Sequence, residues 1–134
     1  METNLHFVEY GNPNGTPVVY FHGAPGAPEE CSLFDAHAKI YNLNIMSFDR
    51  FSIDSSLTAA RYYQFIADTI KQKTNGKPID LIGFSIGCHT AIETSNYMNE
   101  NVRNLYLISA AAPLDAGVFI DDMAGKFLFS AAIK

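Results

Sequence analysis

The sequence is short of the residues that several function classes require. Its 134 residues hold no tryptophan, two cysteines, and nine lysines plus arginines against fourteen acidic residues, for a formal net charge of −5. Basic residues this few and this scattered form no stripe for a nucleic-acid backbone, so small neutral or mildly polar ligands are the expected partners. Cys31 and Cys88 cannot make a disulfide framework, and no CxxC or His-x-x-x-His pair is present; both read as reduced thiols, with no metal and no cofactor expected. No apolar run is long enough to span a membrane. The start, Met1-Glu2-Thr3-Asn4-Leu5-His6, lacks the basic and apolar regions of a signal peptide, which points to the cytosol. Histidine is the scarcity with the largest consequence: His6, His22, His37 and His89 are the only four, and none follows His89.

What is present alternates strands with helices. Leu5 to Tyr10 alternates apolar with polar residues, and Gly11-Asn12-Pro13-Asn14-Gly15 is a turn into the apolar run Val18 to Phe21, which predicts a hairpin. Leu33, Phe34, His37, Ala38 and Ile40 recur at helical spacing over Glu29 to Tyr41. Asn44 to Phe48 reads as a strand, and Thr58 to Lys73 as a helix with Tyr62, Phe65, Ile66, Thr69 and Ile70 on one face, stopped by Asn75-Gly76-Lys77-Pro78. Ile79 to Ile82 is a strand, Ile86 to Met98 a helix, and Asn104 to Ser109 a strand apolar on both faces. This order predicts an α/β fold, a mainly parallel sheet with crossover helices. Val118 to Lys134 reads as a further amphipathic helix carrying the stripe Phe119, Met123 and Phe127.

The chemistry is carried by Gly83-Phe84-Ser85-Ile86-Gly87, set between a strand pattern and a helix pattern. A chain that turns so sharply has no room for side chains at the two flanking positions, and Ser85 is lifted clear of the sheet. His22-Gly23-Ala24-Pro25-Gly26 directly follows an earlier strand, and Asp49-Arg50-Phe51-Ser52-Ile53-Asp54-Ser55-Ser56 follows the next. With these three motifs in order, the sequence from Leu5 to about Asp122 resembles the α/β-hydrolase superfamily, although Ser52 and Asp54 stand where that family has glycines.

The resemblance implies Ser85 as nucleophile, the N–H groups of Ala24 and Ile86 as the oxyanion hole, and His22, Gly23, Gly26, Gly83 and Gly87 as motif support. It also implies acyl transfer from a carboxylic ester or similar small acyl substrate through a seryl ester. Asp115 is the candidate acid, and the triad histidine has no candidate. Against these stand simpler roles. His22 is a loop-stabilising residue or, alternatively, a surrogate base; His89 packs on its helix; His6 and His37 are surface or half-buried residues; Cys88 is an inert buried thiol.

The family places its acid and histidine after later strands. The expectation is therefore the N-terminal part of a longer hydrolase, about the family's strands two to six, with a core over residues 1–117 and the start of a cap helix over 118–134. Three readings follow: part of a serine hydrolase inactive by itself, a non-catalytic binding module, or a subunit whose triad a second chain completes. The strand Asn104 to Ser109 is expected to be a bare edge prone to self-association.

Overall fold

A computed structural model describes residues 5–111. The helix expected over 118–134, its Phe119, Met123 and Phe127 stripe, and Asp115 lie outside the described residues. Five strands form one sheet: β1 (Phe7–Gly11), β2 (Thr16–Phe21), β3 (Leu43–Phe48), β4 (Ile79–Phe84) and β5 (Val102–Ile108). Their spatial order is β1-β3-β2-β4-β5, and every neighbouring pair is parallel except β1 with β3. The expected mainly parallel α/β architecture is what the chain adopts.

The expected hairpin is not formed. β1 pairs antiparallel with β3, Tyr10 opposite Ile45, so β3 lies between the two strands that the turn joins. β2 is buried from Val18 onward on both faces and takes a central place, whereas the half-buried β1 suits the edge.

The alternation along β2 sends side chains to two cores. Val19 and Phe21 join Met46, Phe48, Ile66, Ile70, Leu81 and Met98 on the face covered by α2 (Ala59–Lys73) and α3 (Gly87–Met98). Val18 and Tyr20 join Cys31, Ala38 and Ile45 on the other. Helix α2 starts where the Thr58 hydroxyl accepts the Arg61 N–H and ends where Gly76, at φ +68°, donates to Lys71 O.

The second face departs from the helix expected over Glu29 to Tyr41. A tight 3₁₀ segment, Pro28–Phe34, precedes a short α1, Asp35–Ile40. Only Cys31 and Ala38 of these elements are buried, while Leu33 is 81% and Ile40 74% exposed. Close approach explains the choice of small residues: a Cβ on Gly11 would stand 2.6 Å from Ala38 Cβ, leaving no space for a larger side chain between α1 and β1.

Strand β5 is tied to β4 by Arg103, whose Nε and Nη2 donate to the two Asp80 carboxylate oxygens at 2.9 and 3.0 Å. Beyond Arg103 the strand carries no charge, and Tyr106, Leu107 and Ile108 are exposed among the described residues. No helix among the described residues is long and apolar enough to cross a membrane.

Candidate active site

The turn from β4 into α3 is sharp. Ser85 adopts φ +53°, a left-handed conformation that side-chain-bearing residues avoid. Both flanking glycines are dictated by space. A Cβ on Gly83 would stand 2.5 Å from Cys88 Cα, and one on Gly87 would fall inside contact with Phe21 O and 2.6 Å from His22 O. The obstacles are the first turn of α3, the Gly87 carbonyl at 3.0 Å from a Gly83 Cβ among them, and the end of β2. The Ser85 backbone is held on both sides, its N–H donating to Ile108 O (3.0 Å) and its carbonyl accepting from Cys88 N (3.1 Å).

The loop after β2 lies against this turn. A Cβ on Gly23 would meet the Phe84 ring at 3.1 Å and Ser85 Cβ at 3.4 Å, so His22-Gly23-Ala24 and Ser85 are brought together. Gly26 folds back on the same loop, where a Cβ would stand 2.8 Å from Gly23 O. Neither the Ala24 nor the Ile86 N–H finds an acceptor among the described residues.

His22 is fully buried and both ring nitrogens are engaged. Nδ1 lies 2.8 Å from Gly23 O, a carbonyl, so it carries the proton and donates; Nε2 then accepts the Arg50 N–H at 3.3 Å. A ring so occupied has no free lone pair to offer Ser85. Burial holds its pKa below the usual histidine value, opposed by the Gly23 hydrogen bond and aided by the Arg50 charge. The folded protein thus keeps His22 neutral where the unfolded chain takes a proton. His22 contributes stability above its unfolded pKa of about 6.5, lost as pH falls from there through the lower folded value. Melting temperatures measured across this window are expected to fall with acid, with a shallower slope in His22→Gln; equal slopes would contradict the neutral assignment.

The other histidines do not approach Ser85. His6 and His37 are exposed, His6 preceding edge strand β1 and His37 on α1. His89 is exposed with its ring against Tyr63 of α2, 6.1 Å between centroids. Cys88 is buried behind the turn with Sγ donating to Ile108 O, and Cys31 donates to Pro28 O. Burial raises both thiol pKa values, that of Cys31 to about 11, so both are protonated and unreactive at neutral pH. Among the described residues no group of His, Cys, Asp or Glu could hold a metal ion.

Two side chains that the motifs did not single out complete the arrangement. Arg50 and Thr90 are buried, and the guanidinium donates to His22 O (2.9 Å), Gly23 O (3.2 Å) and Thr90 Oγ1 (3.3 Å). Arg50 was visible within the Asp-Arg motif, but its partners are spread over residues 22 to 90 and no local pattern marks Thr90.

No protein-family model matches the sequence, and no curated protein matches it. Solved structures do. An esterase from Exiguobacterium antarcticum superposes with TM-score 0.64 at 24% identity over 81% of this chain and 42% of that one. MGS-MChE2, an α/β hydrolase enzyme from a lagoon-sediment metagenome of Mar Chica, Morocco, gives 0.68 at 18% over 98% and 62%. The monoacylglycerol lipase of Paleococcus ferrophilus gives 0.65 at 19% over 82% and 44%. The chain therefore has the α/β-hydrolase fold, and it spans 42 to 62% of the length of these three structures.

Proposed function

We propose that Ser85 is the nucleophile position of a serine hydrolase acting on a carboxylic ester or similar small acyl substrate, with the Ala24 and Ile86 N–H groups as oxyanion donors. The observation that carries this reading is Ser85 at φ +53° on a strand-to-helix turn packed against the Gly23 loop. Positive φ at a serine costs free energy, and residues strained in this way cluster at functional sites. Two amide donors with no acceptor among the described residues, near a serine, are what a tetrahedral oxyanion requires. The names of the structural neighbours, an esterase and a lipase among them, lend support through the fold.

The base is the missing part. With His22 engaged and His6, His37 and His89 turned elsewhere, proton removal from Ser85 needs a group outside residues 5–111, and no histidine follows residue 111. Asp115 remains the proposed acid. The histidine then comes from polypeptide outside these 134 residues, either a continuation of the chain or a second chain. By itself the chain is proposed to turn over little substrate, and its buried reduced thiols accord with a cytosolic setting. A fluorophosphonate followed by peptide mapping tests the nucleophile. Slow modification at Ser85, absent in Ser85→Ala, is expected; no adduct at Ser85 would favour a non-catalytic binding module instead.

The edge of β5 beyond Arg103, uncharged and exposed, is proposed to drive self-association. Sedimentation is expected to show oligomers of the wild-type chain and monomers of Leu107→Lys, since a lysine on an edge strand opposes pairing. A wild-type monomer at all concentrations would contradict this.

A further inference from the structure

We infer that Arg50 is a positioning residue that fixes the orientation of the Gly23–Ala24 peptide and so aims the Ala24 N–H, an inference that rests on the oxyanion reading above. Gly23 O and Ala24 N–H belong to one planar trans peptide and point to opposite sides of it. Gly23 O accepts from two donors, His22 Nδ1 at 2.8 Å and Arg50 Nη2 at 3.2 Å. With its oxygen held in this way, the plane cannot rotate, and its N–H is directed away from Arg50. Donors on the carbonyl also polarise the unit, which strengthens the N–H as a donor to an anion.

The same guanidinium reaches the other half of the site. Its Nε holds His22 O, the preceding carbonyl of the loop, and its Nη1 holds Thr90 Oγ1 on α3, the helix that opens beside the Ile86 N–H. One rigid fork therefore connects the loop bearing one proposed donor to the helix following the other. Its own backbone is anchored too, since Arg50 O accepts the Tyr62 hydroxyl at 3.1 Å; the guanidinium carbon itself stands 5.0 Å from the Phe51 ring centroid.

A purely structural filler would not take this form. Arg50 is 8% exposed, and no carboxylate lies within ion-pair distance of it among the described residues; the Asp49 carboxylate is instead 3.9 Å from His22 Nε2. A buried cation answered only by neutral acceptors is costly, and an apolar side chain would fill the volume at less expense. What an apolar side chain cannot supply is three donors in fixed directions. Lysine offers one compact ammonium and cannot serve three acceptors on separate segments in that planar geometry.

The test compares wild type, Arg50→Ala, Arg50→Lys and Ser85→Ala by two readouts: the rate of fluorophosphonate modification at Ser85, and the amide resonance of Ala24 in a ¹⁵N-labelled sample. In folded Arg50→Ala the modification rate is expected to fall about 100-fold or more, the usual consequence of losing one oxyanion donor. The Ala24 resonance is expected to move, and guanidinium ion well below denaturing concentration is expected to restore both. Arg50→Lys is expected to behave as Arg50→Ala, and it serves in its place, without the rescue, if the alanine variant does not fold. A rate and an Ala24 resonance unchanged in the folded variants would overturn the inference. If wild type reacts no faster than Ser85→Ala, the nucleophile reading fails; the Ala24 resonance then decides the positioning role by itself.

Discussion

Replacing Gly87 with alanine is expected to destabilise the domain by more than about 3 kcal/mol, above the usual range for overpacking, because the obstruction is backbone. The new methyl would overlap Phe21 O and stand 2.6 Å from His22 O. Those carbonyls close strand β2, which is paired on both sides, Tyr20 with Ser47 of β3 and Phe21 with Gly83 of β4. Moving them means breaking a central ladder, and moving α3 instead disturbs the packing of Ala91 and Met98 in the main core. A flexible side chain would yield cheaply; this contact has none. For a domain of this size the expected loss is about 10 °C or more in Tm, measured by circular dichroism. A Gly87→Ala variant melting within a few degrees of wild type would show that β2 and α3 do not meet as described.

The same contact explains how much of the site was legible in the sequence. Gly83 and Gly87 are visible as a spacing, since a turn that tight admits only glycine where chain meets chain, and the requirement survives without knowledge of what is met. The obstacles at Gly87 could not be read, because Phe21 and His22 are more than sixty positions away, whereas that at Gly83, Cys88, is local. The strand patterns of β2, β4 and β5 announced themselves by apolar runs, and the parallel sheet followed. The partner of β1 did not, for alternation shows that one face of a strand is buried but not which strand lies beside it. Of Leu33, Phe34, His37, Ala38 and Ile40, set at helical spacing, only Ala38 is buried. The side chains buried there are the small ones, Cys31 and Ala38, with Gly11 close against Ala38, while Leu33 and Ile40 are turned out. The Arg50 network was the least legible feature, because its meaning depends on carbonyls, and a carbonyl has no letter in a sequence.

Activity is where the largest effect is expected. Enzymes typically turn over at about 10 s⁻¹, and in a serine protease loss of the triad histidine alone lowers kcat about a million-fold, because an un-ionised serine hydroxyl is a poor nucleophile whatever stabilises the oxyanion. His22, the one histidine beside Ser85, has both nitrogens committed to Gly23 O and the Arg50 N–H. On the reading proposed above, acyl substrate meets the Ala24 and Ile86 amides and the Ser85 hydroxyl without being hydrolysed at an enzymatic rate. The decisive measurement is steady-state hydrolysis of p-nitrophenyl butyrate by the 134-residue chain beside its Ser85→Ala variant, at slightly alkaline pH. The expected result is a Ser85-dependent kcat about a million-fold below that of a complete serine hydrolase. A Ser85-dependent kcat of about 1 s⁻¹ or more would contradict it, since the chain would then contain a base that none of its four histidines provides.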